Sequence, residues 1–395
     1  MTRQTVVRPW AVVTLAAATA LAGSAFVGGG SPAAQQAMIA APPPPAAVPP
    51  AVEAASTAEF EPIRLGPEER ARLAAEMSRW VTRDAQQLVD VIADLAEERP
   101  LPHPATFLMS IAWKETRGKV LAVSPAGAAG LAQATPAAYL SEGYEGKLFV
   151  TTDYLAATRA FIMKKPLGDA LAITGPLLKS NTPARRARAR KLTASAMELR
   201  REGMEELEAL RPVATPTFLR RIEEGDAHNL ATLRELERLI ARGAPRAELQ
   251  RFHNRVQRDY TYLRNLQRNG WAKYARDLSA RRDALLRQHY GQNATAVILT
   301  RPYEAGELLG RTLDARFSPT RMAEFLARHL ETKQRQAREL GVAEEMLDAW
   351  TAALYNGGAV NVKRMQAGLI GALRETQNYM RAVPARSALL EAVLG

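Results

Sequence analysis

From Pro67 to the C-terminus, apolar residues return every three or four positions. That is the period of a helix buried along one stripe. PEERARLAAEMSRWVTRDAQQLVDVIADLAEERP reads as two helices, and residues 153–164 resume the pattern. From about 166 to 315, stretches such as RELERLIARG and FHNRVQRDYTYLRNLQRNGWAKYARDLSARRDALLRQHY keep the period with arginine-rich outer faces. ATAVILT, 294–300, is the one run that reads as a strand. The expected fold class is all-α. No period of 20–50 residues repeats, so a solenoid is not supported.

The N-terminus is of a different kind. Arg3 and Arg8 precede the alanine-rich apolar run WAVVTLAAATALAGSAFV, with Gly23-Ser24-Ala25 as a cleavage site. Residues 1–30 thus read as an export signal or N-terminal anchor. The run is weakly hydrophobic, which favours cleavage over anchoring. Residues 31–57, including APPPPAAVPP, read as an Ala/Pro-rich linker. The expected location is the periplasm or cell envelope.

Cysteine is absent, which excludes disulfides, thiolate metal sites and a cysteine nucleophile. The five histidines show no ligand spacing. No metal and no cofactor is expected. The formal net charge is +12, and residues 181–300 hold 24 Lys and Arg against 14 Asp and Glu. A basic surface suits anionic partners, and it is also what an arginine-rich solvated helical face looks like. Nucleic acid is not expected as a partner, because no nucleic-acid motif accompanies the charge. The aromatics Tyr260, Tyr262, Trp271, Tyr274 and Tyr290 interleave with these arginines at helical spacing, as core residues do.

The stretch PATFLMSIAWKETRG poses the sharpest question. Reading back from Glu115, Ile111, Ala112, Leu108 and Phe107 share its stripe. A carboxylate on a buried stripe is costly when charged, so desolvation favours its acid form. A carboxylic acid still protonated at neutral pH can donate a proton to a leaving oxygen. By itself, a Glu between Lys114 and Arg117 is also an ordinary paired residue.

The neighbours of Glu115 extend the pattern. SIAWKETRGKVLAVSPAGAAGLAQATPAA resembles the soluble lytic transglycosylase family, whose domain has a goose-type lysozyme fold. That family carries a catalytic Glu followed by Ser, then a loop of the form SPxGAxGLMQxxPxTA. Glu115 matches the acid, and Thr116 keeps the hydroxyl of the Ser. Ser124, Pro125, Gly127, Gly130, Leu131, Gln133 and Pro136 match in order, while Ala132 replaces the usual Met. ALYNGGAVNV (353–362) is similar to the family's AYNAGPGNV at Tyr355, Asn356 and Gly358. RETQNYMRAV (374–383) is similar to ETRxYVxxV at Glu375, Thr376, Tyr379 and Val383. The resemblance covers about 100–160 and 316–385, less than half of the chain.

The resemblance implies an exported peptidoglycan lyase. Glu115 would protonate the bond between N-acetylmuramic acid and N-acetylglucosamine, then act as base on the sugar's own 6-hydroxyl. Thr116, Gly130, Gln133, Tyr355, Asn356 and Tyr379 would bind substrate, and Glu375 would support the site. Glu142, Glu145 and Asp153 are nearby carboxylates with no place in the family pattern. A muramidase on the same scaffold, or a non-catalytic wall-binding or assembly protein, are the alternatives.

The expected organisation is a first domain part at 66–165, a basic helical insertion at 166–315 and a second part at 316–395. The insertion would extend the cleft, bind a wall-remodelling partner, or merely elaborate the fold. It is expected to leave and rejoin the domain at neighbouring points, as a separate lobe beside the cleft. Glu115 and Tyr355 are expected within hydrogen-bond reach of one another, or one water beyond it.

Overall fold

A computed structural model describes residues 64–395, apart from 82, 83 and 372. The expected export segment and the Ala/Pro linker lie outside the described residues. Among the described residues the chain is all-α: fourteen α-helices, no strand, and two isolated β-bridges, Val123–Ala129 and Ala129–Ala134. No described helix is long and apolar enough to cross a membrane.

Local chemistry explains where many helices begin. α4 (Pro136–Ser141), α6 (Pro183–Glu208), α7 (Pro216–Ala241) and α11 (Pro319–Glu339) each open on Ser/Thr-Pro. In each, the hydroxyl of Thr135, Thr182, Thr215 or Ser318 accepts the backbone N–H three residues on. Proline fills the first helical position, where its missing N–H costs nothing.

The helices form two bodies that share a seam. α1 (Pro67–Met77), α2 (Ala85–Glu98), α3 (Ala105–Thr116), α11, α12 (Leu347–Gly357) and α14 (Arg374–Leu394) pack around one core. Phe107, Leu108, Ile111 and Ala112 of α3 are fully buried in it. α14 crosses α3 and α12, and a cation–π sandwich fixes it. The Arg386 guanidinium lies 3.6 Å from the Trp80 ring centre and 4.0 Å from that of Trp113. The second body is a bundle of long helices, α5 (Thr152–Lys179), α6, α7 and α8 (Arg246–Tyr290). At 45 residues, α8 spans roughly 68 Å at 1.5 Å per residue. α9 (Ala294–Thr300) and α10 (Pro302–Thr312) lead back from it, and α13 (Ala359–Gln366) follows α12.

The insertion does leave and return side by side. Lys147 O accepts from Ala315 N at 2.7 Å, and the Phe149 amide donates to Asp314 at 3.1 Å. Three expectations need correction. The boundary at 165/166 falls inside α5, because Pro166 sits within a continuous helix rather than ending one; the bundle begins near 150. ATAVILT is the helix α9, since no described strand is available to pair with it and a helix satisfies its own backbone. The insertion is no separate lobe: Tyr274 of α8 is fully buried against the glycine loop, and Trp271 packs beside it in the same core. Tyr262, by contrast, is 67% exposed.

The seam is built on Arg316, which is fully buried. Its Nε and Nη2 donate to the two oxygens of Asp314 at 2.9 and 2.7 Å. Nη1 donates to the carbonyls of Gly127 and Ala134, each at 2.9 Å, and Nη2 also donates to Tyr274 OH at 2.8 Å. All five guanidinium N–H groups therefore have an acceptor. Replacing Arg316 with Met should strand the buried Asp314 carboxylate. A loss of about 3–5 kcal/mol in urea unfolding is expected, the scale for removing one partner of a buried pair. A variant as stable as the parent would show that the seam does not depend on this residue.

Candidate active site

Glu115 is the second-last residue of α3, and the helix ends through Arg117 in the left-handed region (φ 53°). The buried stripe is thereby cut short, and the carboxyl emerges at the wall of a cavity of about 1280 Å³. Glu115 is half-buried. Desolvation pushes its acid up to about 8, and the nearby Glu375 adds to this. The Tyr379 hydroxyl, which donates to Oε1 at 2.9 Å, and Lys114 work in the opposite direction. At neutral pH the acid form predominates.

The glycine loop, 122–135, forms the adjoining wall. It is closed by its own hydrogen bonds, including Ser124 N to Ala128 O at 2.8 Å and Gly130 N to Ala122 O at 3.0 Å. Gly130 has φ +75°, and a Cβ there would lie 1.7 Å from the Arg316 carbonyl oxygen. Gly127 has φ +78°, and its Cβ would meet the Tyr274 ring at 2.2 Å. Only glycine allows these approaches. Gln133 adopts φ 47°, and its side-chain amide donates to Gly130 O at 3.0 Å.

Four expected residues line the cavity: Glu115, Gln133, Tyr355 and Asn356. The other four stand behind it, and three of these were expected to touch substrate. Thr116 is buried and donates its hydroxyl toward Ala112 O at 3.2 Å and Leu131 O at 3.3 Å, tying helix to loop. Gly130 is occupied by its approach to Arg316. Tyr379 is 2% exposed and holds Glu115. Glu375 is half-buried near Lys114 and Glu115. Tyr355 shares the cavity with Glu115, but its hydroxyl donates to Ala132 O at 2.6 Å; the hydrogen-bonding tyrosine of Glu115 is Tyr379. Asn356 Oδ1 accepts from Thr376 at 3.2 Å.

These contacts close a ring. Glu115 joins Tyr379, α14 runs back to Thr376, Thr376 joins Asn356, Tyr355 joins Ala132, and Leu131 joins Thr116. Every motif picked out in the sequence is hydrogen-bonded to another.

Several cavity residues lie outside the motifs around Glu115, Gln133, Tyr355 and Glu375. Phe161, Lys165 and Glu202 come from the insertion, and Trp271 backs Phe161 at a ring distance of 5.2 Å. Glu142 and His329 line the same space and are bonded to each other at 2.6 Å. Among the described residues, no group of three or more His, Asp or Glu is arranged to hold a metal ion. In comparisons with protein-family models, curated proteins and solved structures, the chain matches none.

Two outcomes follow from the surroundings of Glu115. The Tyr379 hydrogen bond favours the carboxylate, so Tyr379→Phe should raise the Glu115 titration further, as read by carboxyl ¹³C shifts; an unchanged or lower midpoint would contradict the geometry. The folded state also binds a proton that the unfolded chain, at its ordinary 4.5, releases. The stability associated with that proton is full below 4.5 and fades as pH rises through about 8. Glu115→Gln should therefore melt above the parent at pH 8.5, with the gap closing by pH 4.

Proposed function

We propose that the chain is an exported peptidoglycan lytic transglycosylase with a goose-type lysozyme-like core. The observation that carries this reading is the hydrogen-bonded ring that brings four family-like motifs around one carboxylic acid. The acid is protonated at neutral pH and opens on a cavity large enough for several sugar rings.

The mechanism follows from the donor arrangement. Tyr379 donates to Oε1 of Glu115, so the acid's own proton resides on Oε2 and is free to be given. That proton passes to the glycosidic oxygen between N-acetylmuramic acid and N-acetylglucosamine as the C1–O bond breaks. Positive charge develops at C1, and the substrate's acetamido group supports it. The Glu115 carboxylate then removes the proton of the 6-hydroxyl, whose oxygen bonds to C1 and closes a 1,6-anhydro ring. Glu115 ends as it began, and no water is consumed.

One acid suffices for this sequence, whereas hydrolysis asks a second carboxylate to activate water. Glu142 lines the same cavity, but His329 and Thr332 occupy both of its oxygens. That favours the lyase over a muramidase. The insertion reads as an extension of the cleft, because Phe161, Lys165, Glu202 and Trp271 help to line it. Peptidoglycan strands are the proposed partner, in the periplasm or cell envelope.

Mass spectrometry of digested sacculi tests the reaction. Anhydro ends are expected; reducing ends would mean a muramidase, and no products a binding protein. Glu115→Gln should lower turnover by about 10²–10⁴-fold, the usual contribution of a general acid. In the parent, kcat/KM should fall as pH rises through about 8, where Glu115 loses its proton. Full activity persisting well above that pH would remove Glu115 from the role.

A further inference from the structure

Glu142 caps the end of α4, and His329 and Thr332 lie on α11. The three meet in the wall of the cavity that holds Glu115. Glu142 is 7% exposed and His329 8%. The carboxylate receives His329 Nδ1 at 2.6 Å on one oxygen and the Thr332 hydroxyl at 3.0 Å on the other. The imidazole stacks on Phe325 at 5.1 Å and meets the Tyr355 ring edge-on at 5.4 Å. Its plane is therefore fixed from both sides, and Tyr355, which feels the Glu115 charge, lines the same cavity beside it.

The protonation states follow. Burial pushes His329 down to about 4, with Lys333 adding to this and Glu142 only partly opposing it. Burial alone would raise Glu142, but its bonds from His329 and Thr332, with Lys333 nearby, hold it below the ordinary carboxylate value. Above about 4, and so at neutral pH, His329 is neutral, with its one proton on Nδ1 facing a carboxylate. Nε2 is then a lone-pair acceptor of fixed direction. Burying such a pair costs more than packing apolar side chains of the same size, and a wall with no task would not need it.

We propose that His329, oriented by Glu142, is a second recognition group of the cleft: Nε2 accepts a hydrogen bond from a hydroxyl or acetamido N–H of the sugar beside the bond that Glu115 cleaves. This rests on the saccharide reading above. His329 binds and does not abstract a proton, since so weak a base would leave most of the proton on the sugar. Glu142 is a positioning residue that fixes the tautomer. A buried acceptor rejects a sugar that lacks the matching donor, because the lone pair would be left unpaired.

The test uses the full chain carrying Glu115→Gln, so that ligand is bound without being consumed. The probe is a peptide-free tetrasaccharide of alternating N-acetylglucosamine and N-acetylmuramic acid. Adding His329→Asn keeps an amide donor near the Nδ1 position and leaves nothing at Nε2. Calorimetry should show affinity weakened roughly 2- to 13-fold, the scale of one neutral hydrogen bond. In the His329-containing protein, the ¹⁵N resonance of Nε2 should start at the unprotonated position and move upfield at saturation.

A folded His329→Asn variant with undiminished affinity, or an Nε2 resonance that stays still at saturation, would overturn the proposal. If that variant does not fold, the resonance alone decides. If the Glu115→Gln protein does not bind the tetrasaccharide at all, the saccharide reading falls and this inference falls with it.

Discussion

One guanidinium connects the parts of this molecule that make a cleft. Arg316 is fully enclosed, yet each of its five N–H groups finds an oxygen. Two of those oxygens are loop carbonyls, Gly127 and Ala134, and the second also accepts the Ala129 amide at 3.0 Å. Asp314 also accepts the Phe149 amide, where the chain departs into the insertion. Tyr274 completes the set by donating to Phe149 O at 2.6 Å. Loop, insertion and the start of the second segment are thus fastened at one point. A buried ion pair is weak evidence for net stability, because desolvation offsets much of its attraction. Its value is geometric: each acceptor is specified in direction, and a shifted loop would leave donors unmet.

That fixed loop sets the chemistry of Glu115. The acid is held in balance by opposed effects. Desolvation by the helix stripe and loop favours the proton, and the Tyr379 hydroxyl favours the charge. Neither alone gives a group that can both release and recover a proton near neutrality. Tyr379 is anchored by α14, which Arg386 pins between Trp80 and Trp113. The position of Oε1 is therefore traceable to a surface-side cation–π stack and the proton to a buried loop, two regions far apart in sequence.

Much of this was legible beforehand. The 3.6-residue period identifies an all-α chain because burial along one stripe leaves that mark whatever the tertiary contacts are. The Phe107–Ile111 stripe placed Glu115 against the core, and the glycines of the loop marked backbone approaches that a Cβ would prevent. What stayed hidden depended on partners. Arg316 is one of many arginines, and nothing local distinguishes a fully paired interior one from a solvated one. Thr116 was read by its place beside Glu115, but helix phase turns it inward, toward Leu131 O. The expected boundary at 165/166 falls inside α5, which continues through Pro166 with neighbours on both sides buried. ATAVILT has the composition of a strand, and a strand needs a second one.

The insertion is fastened to the cleft wall and not merely tethered beside it. Arg364 of α13 pairs with Asp169 of α5, Nε to Oδ1 at 3.0 Å, and also donates to Lys165 O at 3.1 Å. Lys363, next to it, pairs with Glu202 of α6 at 2.7 Å. These two contacts are not equivalent. Lys363 and Glu202 are partly exposed, where an ion pair contributes about 0–1 kcal/mol and salt screens it. Arg364 and Asp169 are buried, so losing either partner would leave a desolvated charge without its hydrogen-bonded counter-ion. The helix carrying them follows directly from Tyr355, Asn356 and the two glycines that end α12. The buried pair therefore fixes how far the insertion stands from the Tyr-Asn turn, and with it the width of the cavity at that end.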